Sequence, residues 1–467
     1  MYIFEYDTPE ALGIPSAALL KFLRRLEEID FVHALVLMRH GKVAMEGVRA
    51  PYSFDTPHQM FSVSKSFVSA AIGMAQREGR LKITDKLLDY FPEYARTAHP
   101  RLAAARLTDL LSMRSGFAAC TVRRLLASPD GDWIGTYFSL VPEYDPGTTF
   151  AYNSGATYML SALLRRVTGE NVREYLLPRL FEPLGIVPGI WENCPRAINC
   201  GGWGLYLKTH DLAKFGQLLL DGGTYAGREL IPADYLAEAT KPHADNSMNT
   251  KPDWKLGYCY QFWKSTYGFR CDGAAGQYAV VLPEYDFMLA TASAATDMQR
   301  ILTALWEEVV PHLAPAPLAA DRAAQRELRE TLDRLAMPVA AGDGAPRRER
   351  KVFSFAENAS GIRGCTVEAD AEECALTFTF ANGRTEQLRA GFGKFAYSTF
   401  RLTDIAPHPT AASAAWRGDE LVIESFILDG IYRSTYTVDL TPGAAEPVTR
   451  QDLCTTFRPA WEPLKVK

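Results

Sequence analysis

The chain has 467 residues, 47% of them hydrophobic and 11% aromatic, enough to bury a large core and to divide into about two or three domains. A formal net charge of −5 and a pI near 6.0 leave no broad basic surface. The only basic run, Arg347-Arg348-Glu349-Arg350-Lys351, lies in a Pro/Gly/Ala-rich stretch and reads as a solvated linker, so no nucleic-acid partner is expected.

Met1-Tyr2-Ile3-Phe4-Glu5-Tyr6-Asp7 has no basic start, apolar core or small-residue cleavage site. No stretch approaches about 18 uninterrupted apolar residues. The expectation is a cytoplasmic protein without a membrane partner. Eight cysteines, at 120, 194, 200, 259, 271, 365, 374 and 454, carry no Cys-x-x-Cys pair and read as reduced thiols. The eight histidines (33, 40, 58, 99, 210, 243, 312, 408) lack ligand spacing, so neither metal nor cofactor is expected, and His58 reads as structural.

An amphipathic helix around Ser16 to Ile29 leads into a hairpin: Ala34 to Arg39, a His40-Gly41 turn, then Lys42 to Glu46. Residues 62–78 then read as a buried helix stopped by Gly79, with Ser62 in its first turn. Within it lies Ser62-Val63-Ser64-Lys65, the one Ser-x-x-Lys of the chain. Positions i and i+3 share a helix face, so the Lys65 amine reaches the Ser62 hydroxyl near the positive end of the helix dipole. Burial disfavours the charged amine, and a neutral lysine can activate a serine.

A short helix follows at Leu107 to Met113 with Thr108 as its expected cap, ahead of Ser115-Gly116. Pro146-Gly147-Thr148-Thr149-Phe150-Ala151-Tyr152-Asn153-Ser154 is a turn that delivers Tyr152 and Ser154 to the start of a helix at 154–168, capped by Gly169. A tyrosine near a lysine can have its pKa lowered enough to shuttle protons. Further helices are expected at 172–180 and 210–221, the second ending at Gly222. From Tyr258 the period becomes that of strands, at 258–263, 269–274, 278–282 and 287–291, with a closing helix at 296–311. Residues 313–350 read as a connector with one charged helix near 320–336. Residues 351–467 alternate polar and apolar with Gly/Asn/Asp turns and read as a separate all-β domain.

Four stretches in order carry a resemblance: Ser62 to Lys65, Leu107 to Gly116, Pro146 to Ser154, and Gly201-Gly-Trp-Gly to Gly216. Together they resemble the penicillin-recognising serine hydrolases, which comprise class C β-lactamases, D,D-peptidases, family VIII-type carboxylesterases and 6-aminohexanoate-dimer hydrolases. The likeness runs over roughly residues 8–312. It implies an α+β fold in which an antiparallel sheet is flanked by helices over 1–312, followed by a lipocalin-like β extension. Ser62, Lys65 and Tyr152 fall on the family's catalytic positions, with Ser154 orienting Lys65 or the substrate.

The family's third motif aligns with Cys271-Asp272-Gly273-Ala274. This alignment implies an oxyanion hole from the Ala274 and Ser62 N–H groups, close substrate approach at Gly273, and substrate-binding positions at Gly276 and Gln277. Where the family's β-lactamases carry Lys or His and then Thr or Ser to bind a carboxylate, this chain has Cys271-Asp272, and an Asp repels that group. The expected function is therefore acyl-enzyme hydrolysis of a small ester or amide, with β-lactamase or D,D-peptidase activity as the alternative. A Ser/His/Asp triad is the rival enzyme reading, but the chain has no Gly-x-Ser-x-Gly elbow. The reading of another class is a non-catalytic penicillin-binding-type sensor whose β domain binds a ligand. Trp203, Tyr206, Tyr258 and Trp263 could line an acyl pocket or belong to the core, and a homo-oligomer remains open.

Overall fold

A computed structural model describes residues 2–29, 32–401, 406–452, 461 and 464–466; Cys454 lies outside them. The chain forms two compact units, one made of Met1–Val48 and Pro57–Arg334, the other of Arg49–Thr56 and Leu335–Lys467. The stretch 313–350, expected as a connector, is divided between them.

The first unit is built on a seven-stranded sheet. In chain order its strands are β1 (Glu5–Tyr6), β2 (Val32–Arg39), β3 (Lys42–Val48), β4 (Trp263–Lys264), β5 (Phe269–Gly273), β6 (Gln277–Leu282) and β7 (Phe287–Ser293). They lie in the order β1-β3-β2-β7-β6-β5-β4, with the β1-β3 pair parallel and the others antiparallel. The β2-β3 turn forms as expected, with His40 and Gly41 both at positive φ (53° and 72°), the geometry that matches the twist of a tight hairpin.

Strand alternation gives the sheet two faces. Leu35, Leu37, Val280 and Leu289 pack on one side with helices α1 (Ser16–Glu28), α5 (Gln299–Glu308) and α6 (Arg322–Asp333), through Phe22, Leu26, Ile301, Leu305 and Leu328. The charged helix near 320–336 is therefore part of the first unit's core layer. On the other side Gly216 of helix α4 (Thr209–Leu220) lies against the sheet. A Cβ there would stand 2.3 Å from Met288 Cε. Two further helices belong to this side: α2 (Ser64–Arg77), buried from Ser64 to Ala75, and α3 (Ser154–Thr168). Gly79, Gly169 and Gly222 end α2, α3 and α4 at positive φ of 70°, 81° and 65°, as the sequence predicts.

Three elements differ from expectation. The helix at Leu107–Leu111 is capped by Asp109, whose carboxylate accepts the Arg106 N–H at 2.8 Å, because an acid at the third position reaches back where Thr108 does not. The 172–180 helix is α only over Val172–Leu176 and loosens to a π turn at Leu177–Phe181. Residues 258–263 form a tight turn with Gln261 at φ 66°, and only β4 remains as strand. The buried Gln261 amide fixes that turn by donating to the Leu110 and Leu111 carbonyls at 3.2 and 2.9 Å and accepting from the Thr157 hydroxyl at 2.7 Å.

The second unit is a curled, half-barrel sheet of nine strands: β8 (Glu349–Ser354), β9 (Ile362–Ala369), β10 (Glu373–Phe380), β11 (Thr385–Phe392), β12 (Ala396–Phe400), β13 (His408–Arg417), β14 (Glu420–Ile427), β15 (Arg433–Asp439) and β16 (Val448–Asp452). The path is β8-β9-β10-β11-β13-β14-β15-β16, with β12 on β13. Leu464 bridges to Val448 and Val466 to Phe355, so the last described residues meet both ends of the sheet. Its interior is filled by Phe355, Phe378, Leu388, Trp416, Ile423 and Tyr436. Residues 49–56 join this unit through Ala50, which donates to Leu335 O at 3.1 Å, and through buried Tyr52, edge-on to Phe426 at 6.4 Å. Among the described residues no helix is long and apolar enough to cross a membrane.

Gly73 tests the packing of α2. A Cβ there would sit 2.3 Å from the ring of Tyr235, which is held in place by the Ser69 hydroxyl at 2.9 Å. Gly73→Ala should cost about 1–3 kcal/mol of overpacking, more than the gain of up to about 1 kcal/mol in helix propensity, and a lowered denaturation midpoint would show it.

Candidate active site

Ser62 does not lie in the first turn of α2. It lies in a single 3₁₀ turn, Phe61–Val63, that runs into the helix. Phe61 holds a positive φ of 46°, an unfavourable state for an aromatic residue that costs about 1–3 kcal/mol and presents Ser62 half-buried at the helix entrance. The buried serines of α2 fix this entrance. Ser64 donates to Phe61 O at 2.6 Å and accepts from Leu205 N–H at 3.2 Å, and Ser66 and Ser69 donate to the Gln261 and Tyr260 carbonyls at 2.9 and 2.8 Å.

Lys65 lies one turn on with 1% of its surface exposed. Its Nζ is 3.0 Å from Ser62 Oγ, 2.9 Å from Ser154 Oγ and 2.6 Å from Gly202 O. Burial pulls its pKa down to about 7, while the Cys120 thiol and the Asp272 carboxylate pull the other way. Gly202 is a site residue that motif reading missed, although the Gly201-Gly202-Trp203-Gly204 run was its signal. A Cβ on Gly202 would come within 2.9 Å of Ser154 Cβ, so only glycine brings this carbonyl to the amine.

Asn153 caps α3: its Oδ1 accepts from Gly155 N–H and from the Thr121 N–H and hydroxyl, each at 3.0 Å. The cap fixes its neighbours, Tyr152 on one side and Ser154 on the other. The Tyr152 hydroxyl lies close to the Ser62 side chain. Its ring lies 4.7 Å from Lys65 Nζ and stacks on Trp263 at 5.5 Å. Contrary to the sequence expectation, the Tyr152 pKa is raised. Burial outweighs the lowering influence of Ser62, and Asp272 and Cys120 raise it further. Burial thus holds the Tyr152 hydroxyl in its protonated form and draws the Lys65 amine toward its neutral one.

Of the third-motif residues, Gly273 ends β5 against the Ser62 turn. A Cβ would lie 2.4 Å from Met60 O and 3.2 Å from a Val63 methyl. What approaches its backbone is the chain beside the serine, where the sequence reading had a substrate. Ala274 follows in the β5-β6 loop, half-exposed. Neither its N–H nor that of Ser62 meets an acceptor among the described residues. Gly276 and Gln277, expected at the substrate, are buried and serve the hairpin. Gln277 donates to Ala274 O at 3.1 Å and to Ser293 O, and accepts from Ser293 N–H at 3.1 Å. The Gly276 carbonyl accepts from Thr291 at 2.7 Å. Cys271 is buried, and its thiol lies close to Ser66 on α2.

Asp272 points to the other face of β5. Its Oδ2 accepts from Arg270 Nε at 2.8 Å, with both side chains almost fully buried. Burial pushes the Asp272 pKa up to about 6, against the pull of Arg270 and Lys65. Arg270 lies over Trp254 and Trp263, at 4.5 and 5.7 Å, and donates to the Asp253 and Lys264 carbonyls and to the Ser265 hydroxyl. Trp263 and Tyr258 belong to a small core cluster with Met113 and Ala244, against which Phe150, Tyr152 and Trp254 pack. Trp203, half-buried, donates from its indole N–H to Glu192 at 3.0 Å. His58 pairs with His33 at 3.0 Å. Among the described residues no three His, Cys, Asp or Glu side chains are grouped to hold a metal ion.

The chain is 26% identical over 227 residues to a 6-aminohexanoate-dimer hydrolase of Paenarthrobacter ureafaciens, a match spanning 44% of this chain and 56% of that hydrolase. The fold is similar to a solved structure described as a putative 6-aminohexanoate-dimer hydrolase from Bacillus anthracis, with TM-score 0.53, 21% identity and coverage of 66% and 86% of the two chains. It is also similar to a family VIII carboxylesterase, with TM-score 0.50, 18% identity and coverage of 66% and 99%. The family model described as Beta-lactamase matches residues 29–310. That match covers well over half of the sequence and takes in the Ser62 turn, Lys65, Tyr152 and the whole of β5, and so the protein belongs to the β-lactamase family.

Proposed function

We propose that the protein is a serine hydrolase that cleaves a small ester or amide through an acyl-enzyme on Ser62. The observation that carries this reading is the buried Lys65 amine 3.0 Å from Ser62 Oγ, with its pKa drawn down to about 7. In its neutral form Lys65 donates two hydrogen bonds, to Ser154 Oγ and Gly202 O, and its lone pair accepts from the Ser62 hydroxyl. As Ser62 Oγ attacks the carbonyl carbon, the proton passes to Lys65, and the Ser62 and Ala274 N–H groups, both without a protein acceptor, hold the oxyanion. Collapse of the tetrahedral intermediate breaks the bond to the leaving group, which takes its proton from Lys65 with Tyr152 as hydrogen-bond donor beside it. Water then attacks the acyl-enzyme, Lys65 takes the water's proton, and Ser62 recovers it on release of the acid.

The esterase and amidase names among the relatives support an ester or small-amide substrate. Asp272 on β5 supports that choice over a carboxylate-bearing lactam or peptide, the alternative substrates. The sensor reading loses support because the half-barrel is filled by its own aromatic core.

Wild type should show a nitrophenol burst with 4-nitrophenyl butyrate and a fluorophosphonate mass adduct. Both should vanish in Ser62→Ala, and a folded wild type giving neither would overturn the reading. Activity should rise with pH as Lys65 loses its proton, with a midpoint near 7. Lys65→Met should lower kcat by about 10²–10⁴-fold.

The same substitution has a stability signature. Between about 7, the folded pKa, and 10.5, the ordinary value, the unfolded chain binds the Lys65 proton that the folded chain sheds, so the wild type gains stability as pH rises through that window. Lys65→Met removes the cost and should melt higher than wild type at neutral pH, which calorimetry at two pH values would read. Tyr152→Phe keeps the ring stack but loses the hydroxyl, and should lower kcat by about a hundredfold with an unchanged melting temperature.

A further inference from the structure

Two hydrogen-bonded connections run between α2 and α3 beside the site. One is the Lys65 amine, which reaches Ser154 Oγ at 2.9 Å. The other passes through Gln261: the Ser66 hydroxyl on α2 donates to its backbone carbonyl at 2.9 Å, and the Thr157 hydroxyl on α3 donates to its side-chain Oε1 at 2.7 Å. Ser66 follows Lys65 directly, and Thr157 comes three residues after Ser154, so the two α3 hydroxyls share one helix face.

The Gln261 amide has a third commitment. Its Nε2 donates to the Leu110 and Leu111 carbonyls at 3.2 and 2.9 Å. Two residues on, Met113 accepts the Ala151 N–H on its carbonyl at 2.9 Å and the Asn153 N–H on its sulfur at 3.2 Å, bonds that flank Tyr152. Gln261 is thus tied to the segments that position Lys65, Ser154 and Tyr152, with both polar atoms of its side chain in use. Gln261, Ser66 and Thr157 are all buried, which keeps bulk water from the bridge. The Gln261 backbone holds φ 66°, an unfavourable state for a residue with a β-carbon, and in that conformation its carbonyl meets α2 while its side chain meets α3.

The two connections differ in kind. In the hydrolytic cycle above, Lys65 gains and loses a proton, so its bond to Ser154 changes strength at each step, because a charged donor binds more tightly than a neutral one. The Gln261 bridge contains no titratable group and is the same in every step. We infer that Gln261 is a positioning residue, a neutral strut that keeps α2 and α3 at one spacing while Lys65 changes charge, with Ser66 and Thr157 as its two footholds. This inference rests on the hydrolase reading and names what holds that reading's base in place.

Thr157→Val removes the α3 foothold and Ser66→Ala the α2 foothold, each leaving the Gln261 bonds to Leu110 and Leu111 intact. Thr157→Ser keeps the hydroxyl. Folding is checked by circular dichroism and thermal melting, and kcat and KM for 4-nitrophenyl butyrate are measured across a pH series. With the spacing loosened, water reaches Lys65 and the burial that lowers its pKa weakens. The midpoint of the kcat profile should therefore rise by at least about half a unit in Thr157→Val and in Ser66→Ala, with kcat at neutral pH lowered about tenfold and KM within about twofold of wild type. Thr157→Ser should keep the wild-type midpoint. Gly216→Ala, which overpacks α4 against the sheet, should lower the melting temperature and leave the midpoint where it was.

A midpoint unmoved in the foothold variants, with melting temperature alone affected, would show that Gln261 only builds its turn and would overturn the strut. So would a midpoint that moves as far in Gly216→Ala. If one foothold variant does not fold, the other decides. Fluorophosphonate labelling of Ser62 is read in parallel: labelled protein whose midpoint ignores both footholds removes the strut and leaves the hydrolase, whereas a folded wild type that is not labelled removes both.

Discussion

The structure of the site depends on keeping one amine out of water. Lys65 is enclosed, and the free energy lost by desolvating it is offset by oxygens from three separate pieces of chain: the Ser62 turn, the start of α3 and the Gly201–Gly204 loop. Each must arrive to within a few tenths of an ångström, and the local sequence serves that need. Asn153 fixes the α3 end. Gly201 and Gly202 let their loop lie where a Cβ would meet Ser161 or Ser154 at 2.7 or 2.9 Å. The serines of α2 tie the helix to its surroundings by hydrogen bonds that need no water.

The same constraint explains why the sheet edge is so closely fitted. Strand β5 meets the Ser62 turn through Gly273, and the loop beyond it is held from behind by Gln277, so the position of Ala274 relative to Ser62 is set by packing on both sides. Asp272 and Arg270 add a buried pair beside this edge. Its carboxylate pulls the Lys65 pKa upward, against the larger effect of burial. A preorganised site of this kind spends folding stability on geometry.

Sequence reading succeeded where a local rule decides the outcome. Ser62 and Lys65 lie one turn apart, and Gly79, Gly169 and Gly222 stop helices because a positive φ suits glycine. It failed where tertiary contacts decide. Gln277 occupies a strand buried on both faces, so no alternation shows that its amide is needed to hold the hairpin to Ser293. Residues 258–263 have strand composition, but the Gln261 amide has partners in the 110–111 and 157 segments that force a turn. Phe61 carries no mark of its positive φ, since nothing in an aromatic residue calls for it. The lowered Lys65 pKa was foreseeable from burial, whereas the raised Tyr152 pKa required knowing that no charge nearby is strong enough to oppose desolvation.

The eight residues from Arg49 to Thr56 interrupt the first unit only a few positions before Ser62, yet they belong with Leu335–Lys467. The chain therefore crosses from one unit to the other at 48/49, 56/57 and 334/335. During synthesis the Ala50 and Tyr52 contacts stay unmade until Leu335 and Phe426 have left the ribosome, so the stretch leading to the nucleophile is among the last to find its native partners. Gene architecture is bound by the same fact: neither unit can be excised as one continuous segment, and an exchange of the β region between relatives would have to carry residues 49–56 with it.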